Sequence, residues 1–527
     1  WEITRDIKER SEMLIWTIRY WEGVWIRRQI KEMESTKKKD SSSKLSFQRM
    51  LRSWSCLSPC FVSTIHSAAR FFVPWQLGGP MYECIDLLIM DEAGQISMET
   101  ALPLFPLAKK VVVAGDPEQI EPIWGIPEET DIGNLMKHGL LHHPDDFENF
   151  TQVHLAASNG NLQKRVDSLT LHPLWLTEQH RSHPQLVDFC NKLSYEDRLR
   201  AKRKIPEGAL PPYAFAHISG EPKYFRGSWS NSREAEAIVD WIEANEKEWR
   251  QWYGMAPLSN ILGVITPFTQ QAALLHRLLV KRDIQVQVGT VHSFQGSEKP
   301  IILFSATQIV SEKTEPAFFD RKSNFMNVAV SRAKDSFWIV GNLNGWDPSN
   351  QMPSGLLSSY AMRNESSWLR NVWVPERTYP KFQKQEEIWI EDDHNEIFNR
   401  FQNEDGDIHL SMPFMRKEIL ENQGWVQFLK NIKKQNTVNI YMNKTIFSWY
   451  NSEEILDIQD EFLSEGFQLY WAEGLMDSLI WKGHSLLECS LPFLGMDSET
   501  QGRYYNGNQV PWLAKKIMEK WNLQISD

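Results

Sequence analysis

Two pairs of side chains carry the chemistry of this sequence. Asp91 and Glu92 close the aliphatic run IDLLIM, and Asp116 and Gln119 follow Gly115 at the end of a second run, KKVVVA. Phosphoryl transfer asks a protein mostly for positioning and for neutralised charge. Asp91 can hold Mg²⁺ directly or through its water, and Glu92 can orient and deprotonate an attacking water. Asp116 adds a further strand-end acid for the nucleotide, and Gln119 can reach the terminal phosphate and report its presence. Arg181 and Arg332 lie much later in the chain, and a guanidinium can grip phosphate bidentately. A phosphate bound between two domains would meet these cations from the far side, which stabilises charge on the transferred group and couples hydrolysis to closure. Ser63 and Thr64 are hydroxyls suited equally to contacting a nucleic-acid backbone and to capping the helix that starts near His66.

The elements that must position these groups follow from hydrophobic pattern. Both aliphatic runs lack alternation, which predicts parallel strands buried on both faces, and ligands bind at the carboxyl ends of such strands. Residues 1 to about 55 read as amphipathic helix with Leu14, Ile15, Ile18, Trp21 and Trp25 on its apolar positions, an exposed loop STKKKDSSSK, and a further helix entering LRSW. Cys60 to Ile65 is expected as a short strand. From Leu171 a second parallel α/β unit is expected to run to about residue 345. Its strands come from the Leu171 stretch and from ILGVI, VQVG, PIILFS and SFWIVG, with residues 196–258 read as loops and a polar helix. Proline at 184 suits the first position of a helix.

With 527 residues the chain is too long for one core and suggests several domains. A net charge of −11 with a pI near 5.8 argues against attachment to nucleic acid by bulk positive charge and leaves room for a local basic track. The 23 tryptophans offer core anchors and some stacking platforms. The five cysteines form no disulfide framework and Cys56 and Cys60 have no second pair for zinc, so a reducing, cytoplasmic setting is expected. No run reaches the length of a membrane span, and no membrane partner is expected. His142, His143, Asp145 and Asp146 read as a surface loop rather than a metal site.

The motifs DEAGQ (91–95), GDPEQIEP (115–122), LTEQHRSHP (176–184), VITPFTQQ (264–271), GTVHSFQGSE (289–298) and NVAVSRAK (327–334) resemble, in order and spacing, motifs II to VI of superfamily 1 helicases. They look most like the branch of the nonsense-mediated-decay helicase, which moves 5′ to 3′. The resemblance covers residues 60 to 345. It implies tandem RecA-like P-loop NTPase domains with parallel sheets, the cofactors ATP and Mg²⁺, and single-stranded DNA or RNA as partner. Through it Asp91 is similar to the metal ligand, Glu92 to the catalytic base, Gln119 to the γ-phosphate sensor, and Arg181 and Arg332 to the phosphate clamp. Glu298, after Gly296, resembles the ribose-binding residue. Thr290 and His292, with Ser63 and Thr64, fall where the family couples its nucleic-acid track to the nucleotide.

Two departures stand out. His180 occupies a position where the family usually has tyrosine, and the cradle GxxxxGK[ST], with the adenine-contacting glutamine upstream of it, occurs nowhere in the chain. This chain is therefore expected to bind ATP poorly and hardly to hydrolyse it. Retention of five cooperating groups, together with the start at Trp1, favours the C-terminal part of a longer helicase over a decayed remnant. The first domain is expected over 1–170, the second over 171–345, and a linker over 346–405 whose acidic stretch from residue 386 forms a solvated helix and turn.

Residues 406–527 are expected as a compact α/β domain resembling phospholipase D-like modules. Active members need HxKxxxxD; the matching positions here hold Leu475, Asp477 and Lys482. Leucine cannot attack phosphorus and aspartate repels the diester, and neither His409 nor His484 comes with the lysine spacing that would restore the motif. The domain is thus expected to bind a protein partner or to form a homodimer, not to cut. Against the motor stands the alternative of a non-enzymatic scaffold derived from a helicase, binding nucleic acid or protein.

Overall fold

The computed structural model describes residues 2–34, 43–72, 79–171, 173–310, 316–362, 367–369, 372–377, 384–390, 397, 399–413, 429–434, 436–444, 452–490, 500–519 and 521–525. They divide into two compact units, Trp1–Leu174 and Trp175–Asp527.

The first unit opens with helices α1 (Glu2–Glu34), α2 (Lys44–Trp54) and α3 (Ile65–Phe72). The expected loop between α1 and α2 falls mainly on 35–42, outside the described residues. Ser43 caps α2 by accepting the Ser46 N–H at 3.2 Å. The expected apolar positions of α1 do not form a buried face: Leu14, Ile15, Ile18 and Trp21 are exposed, and Trp25 is half-buried. Residues 60–64 are coil rather than strand, since among the described residues no segment pairs with them.

Strands β1 (Leu88–Met90) and β2 (Val111–Val113) pair in parallel, with Ile89 opposite Val112. One face packs on Ala93, Met98, Leu104, Leu107 and Leu162, the last from α4 (Leu162–Leu169). The other face corrects the expectation of burial on both sides. Ile89 is 62% and Val112 49% exposed, because among the described residues nothing covers that side of the pair.

In the second unit a five-stranded, all-parallel sheet has the order β3 (Tyr213–His217), β7 (Ala333–Gly341), β6 (Lys299–Ser305), β4 (Leu262–Ile265), β5 (Gln287–Gly289). β3 lies inside the stretch expected as loop and polar helix, and the Leu171 stretch forms coil ending in a two-residue strand at Glu178–Gln179. Helix α5 (Pro184–Cys190) begins at its proline as expected. Helices α6 (Ser232–Trp252) and α7 (Thr269–Lys281) supply Ala235, Ile238, Ile242, Leu275 and Leu279 to the core over the sheet. Trp241 meets Trp249 and Trp338 edge-on at 5.0 and 5.4 Å, so these tryptophans are anchors of packing. Helix α8 (Ser323–Ser331) leads into β7, and α9 (Pro353–Ala361) follows it.

An eight-stranded mixed sheet builds the C-terminal part. Its strands are β8 (Lys384–Ile390), β9 (Ile408–Met412), β10 (Val438–Asn443), β11 (Gln468–Glu473), β12 (Leu479–Lys482), β13 (Ser485–Cys489), β14 (Thr500–Asn506) and β15 (Asn522–Ile525). They lie in the order β8-β14-β13-β12-β9-β10-β11-β15. Helices α10 (Ser452–Ser464) and α11 (Val510–Met518) accompany it. The start of the acidic stretch is therefore not a solvated helix and turn. Lys384–Ile390 is a strand whose seven residues pair antiparallel with β14, and the β-branched and aromatic run IWI that ends it suits a strand. Residues 391–396 of that stretch lie outside the described residues, as does most of the helix expected over 418–435.

Buried charges join this sheet to the parallel one. Glu488 on β13 accepts Arg233 Nη2 at 3.1 Å and Arg377 Nη2 at 2.7 Å. Asp477 lies 3.1 Å from His217 Nε2 at the end of β3 and accepts Asn344 Nδ2 at 3.1 Å. Burial alone would raise the Glu488 carboxyl, and the two guanidiniums outweigh it and hold it below its ordinary 4.5. Asp477 is likewise held well below the carboxylate range, burial being overcome by His217, Arg377 and Asn344.

A carboxylate depressed by folding contributes stability above its unfolded value and loses it as pH falls. The second unit is expected to lose stability as acid takes the pH below about 4.5. Glu488→Ala strands two buried guanidiniums and is expected to cost about 3–5 kcal/mol in denaturant unfolding at neutral pH. Glu488→Gln is expected to flatten the acid slope.

Candidate functional site

In the first unit the two strand-end clusters are neighbours because β1 and β2 are. The Ala93 N–H donates to Ala114 O at 3.0 Å and the Ala114 N–H to Met90 O at 2.8 Å, so each loop is hydrogen-bonded to the other strand's end. Two glycines make that approach possible. A Cβ at Gly94 would stand 2.5 Å from Asp116 O, and one at Gly115 would stand 2.7 Å from Ala93 N. Asp91 and Glu92 are both exposed at this edge. The Asp91 Oδ1 accepts the Glu92 N–H at 2.9 Å, and Gln95 donates to Glu92 Oε2 at 3.0 Å. Glu92 takes a left-handed backbone, φ 55°, which turns its side chain away from the strand direction.

Asp116 organises its own turn. Its Oδ1 accepts the Glu118 N–H at 2.9 Å and its Oδ2 the Gln119 amide at 3.2 Å, so Gln119 is held beside the acid. Thr64 acts as a cap: its Oγ1 accepts the Ser67 N–H at 3.3 Å at the start of α3, while Ser63 is exposed and donates to Thr64 O at 3.1 Å. His143 and Asp145 are exposed on a loop, 3.2 Å apart. No group of three or more His, Cys, Asp or Glu residues that could hold a metal occurs among the described residues.

In the second unit Arg181, Glu298 and the α8 end meet. Arg181 pairs with Glu298 and donates to Ser331 O at 3.4 Å, and Lys334 Nζ lies 3.5 Å from the other Glu298 oxygen. Glu298 is thus the carboxylate between two cations. Arg332 is 5% exposed at the end of α8, its Nε donating to Val328 O at 3.3 Å and its Nη2 to Ser331 Oγ at 3.2 Å. Gly296 has φ +74° with open space where a Cβ would lie, so its backbone conformation is what selects glycine. Thr290 precedes the short turn Val291–Phe294, its carbonyl accepting Ser293 Oγ at 2.7 Å. His292 is exposed on that turn, and its imidazole is shifted toward the neutral form by partial burial.

Two positioning groups escape a reading of the motifs. Arg203 donates to Arg181 O at 2.8 Å and Lys334 O at 2.7 Å and pairs with Asp335, which also accepts the Tyr253 hydroxyl at 2.8 Å. It ties the Arg181 loop to the segment after Arg332, and in sequence KRKIPEG reads only as a basic loop. Glu234, fully buried in the first turn of α6, accepts Ser305 Oγ at 2.5 Å and the Thr307 N–H at 3.0 Å. Burial pushes its carboxyl up to about 8 against those two hydrogen bonds. The N-cap signal NSRE was the available clue, Asn231 Oδ1 accepting the Glu234 N–H at 3.3 Å.

Residues 159–344 match a family model described as an AAA domain. The chain is 28% identical over 313 residues to "Probable RNA helicase armi" of Drosophila melanogaster, covering 53% of this chain and 25% of that protein. It is 26% identical over 268 residues to "Regulator of nonsense transcripts 1" of Dictyostelium discoideum, covering 48% and 18%. It is 27% identical over 277 residues to "Helicase sen1" of Schizosaccharomyces pombe, covering 49% and 14%. The chain therefore spans a quarter or less of the length of these relatives. At the family level it is similar to superfamily 1 helicases. No helix among the described residues is long and apolar enough to cross a membrane.

Gly94→Ala is expected to force the strand-end loops apart and destabilise the first unit by about 1–3 kcal/mol, read as faster hydrogen exchange at the Ala93 and Ala114 amides. Arg203→Ala removes hydrogen bonds of a charged group and is expected to cost about 1.5–3 kcal/mol, with faster exchange confined to the segments around Arg181 and Lys334.

Proposed function

We propose that this chain carries most of the hydrolytic and strand-tracking residues of an ATP-dependent single-strand translocase or helicase built on two RecA-like domains. The observation that carries the reading is the interlock of Asp91–Glu92 and Asp116–Gln119 at the carboxyl ends of two adjacent parallel strands. The similarity to helicases supports it. Asp91 suits Mg²⁺: the ion prefers hard oxygen, keeps several waters and takes one or two carboxylates beside substrate phosphates. Bound there with ATP, it would neutralise charge on the phosphates.

The chain's own residues divide the remaining work. Glu92 accepts a proton from the attacking water, and Gln119, steadied by Asp116, senses the terminal phosphate. Arg181 and Arg332 neutralise charge on the transferred group, for which Arg181 exchanges its Glu298 partner for phosphate and the buried Arg332 leaves its contacts with Val328 and Ser331. Glu298, released by Arg181 and still beside Lys334, serves the ribose next to the turn at Gly296. Thr290 and His292, with Ser63 and Thr64, track the strand through its backbone, which gives little preference between DNA and RNA. The sequence contains no GxxxxGK[ST] cradle, so these residues alone hydrolyse ATP barely.

For the C-terminal sheet we propose a degenerate phospholipase D-like domain that binds a protein partner or a second copy. Leu475, Asp477 and Lys482 are 0, 3 and 6% exposed, so the positions of the nuclease motif serve packing rather than face a substrate.

Anisotropy titrations of labelled single-stranded DNA and RNA at low salt are expected to show binding that weakens linearly in log–log form as salt rises. Because the chain lacks the phosphate cradle, Mg²⁺ with a non-hydrolysable ATP analogue is expected to change that affinity only at saturating excess, and Arg181→Ala to abolish the change while leaving the binding. No single-strand affinity at low salt sinks the motor; affinity that stays indifferent to nucleotide at saturating excess favours the scaffold.

A further inference from the structure

A cavity of about 610 Å³ opens in the C-terminal part, between the Asp405–Asp407 loop, the sheet and α11. Its volume is that of a small-ligand pocket. The floor is aromatic: His409 on β9 stacks on Trp481 of β12 with centroids 4.7 Å apart and planes 5° apart. Tyr441 continues the row, 2.9 Å from His409 Nδ1 through its hydroxyl. Burial shifts the His409 ring toward its neutral form, against the pull of the nearby Asp407 carboxylate.

The rim is acidic and uncommitted. Asp405, Asp407 and Glu519 line the cavity beside a lone lysine, Lys515, and among the described residues none of the four makes an ion pair. Other charges of the C-terminal part do pair, as Arg400 does with Glu386 and Lys430 with Glu465. Trp521 adds an independent observation. It lines the cavity, is 3% exposed, and among the described residues its buried indole N–H has no acceptor. A buried donor left unpaired is costly, so this part of the cavity wall is polar and unsatisfied.

We propose that this cavity receives an arginine side chain presented by a protein segment. A guanidinium is planar, matches carboxylate pairs bidentately and tolerates contact with aromatic rings better than a hydrated ammonium does. A nucleic-acid strand is disfavoured here because its phosphates would face three carboxylates against one ammonium. The inference does not rest on the motor reading: the cavity lies wholly within the C-terminal sheet and its helix.

Calorimetric titration of the full chain with acetyl-Gly-Arg-Gly-amide tests it. Binding is expected, weakened at least about tenfold, or 1.4 kcal/mol, when citrulline replaces arginine. The double variant Asp405→Asn with Asp407→Asn, at exposed positions, is expected to weaken it similarly while circular dichroism stays unchanged, and Glu519→Gln to weaken it separately. Equal binding of the citrulline peptide, no binding of either peptide, or indifference to all rim variants overturns the proposal. So does a single-stranded oligonucleotide that displaces the peptide and binds more tightly to the double variant, which would assign the cavity to nucleic acid.

Discussion

The second unit depends on a few charges that have left water together. Glu488 between Arg233 and Arg377, and Asp477 between His217 and Asn344, cross from the mixed sheet to the parallel one. Ions in such a place are tolerable only when every partner is present, so the two sheets keep one relative arrangement or lose all of these contacts at once. A domain that reads in sequence as an appendage is for this reason part of the same compact unit as the lobe bearing Arg181 and Arg332. Movement of that lobe would carry the aromatic cavity with it as a rigid passenger.

The strand ends of the first unit rest on a different constraint, steric rather than ionic. Two glycines let backbone meet backbone at distances no side chain would permit, and the acids are displayed because the loops beneath them cannot spread. Arg203 plays the corresponding part in the second unit, holding two loops by their carbonyls. Neither arrangement is chemistry in itself, and both decide where the chemistry stands.

How much of this was legible beforehand varied with the kind of signal. β1, β2, β4, β6 and β7 announce themselves as uninterrupted aliphatic runs, and the polar clusters at their ends follow. β3 did not, because YAFAH is short, alanine-rich and surrounded by prolines, and its burial comes from neighbours far away in the chain. β8 was hidden by its glutamates: counting acids suggested a solvated helix, whereas the segment is a strand by virtue of pairing with β14, more than a hundred residues later. Asp477 looked like a damaged catalytic lysine position, and nothing local could reveal His217, 260 residues earlier, as its partner. Arg203 was missed for the same reason. Residue type and local period were readable, while pairings across hundreds of residues were not.

The buried Glu234 changes a quantity as ordinary as the protein's charge. A formal net charge of −11 counts that carboxyl as ionised, yet with its proton retained up to about pH 8 the folded chain is one unit less negative at neutrality. Unfolding exposes the group and releases the proton to the surrounding buffer. Calorimetric enthalpies of this protein near pH 7 therefore contain the ionisation heat of whatever buffer receives it, and two buffers of different heat will report two different numbers for the same transition.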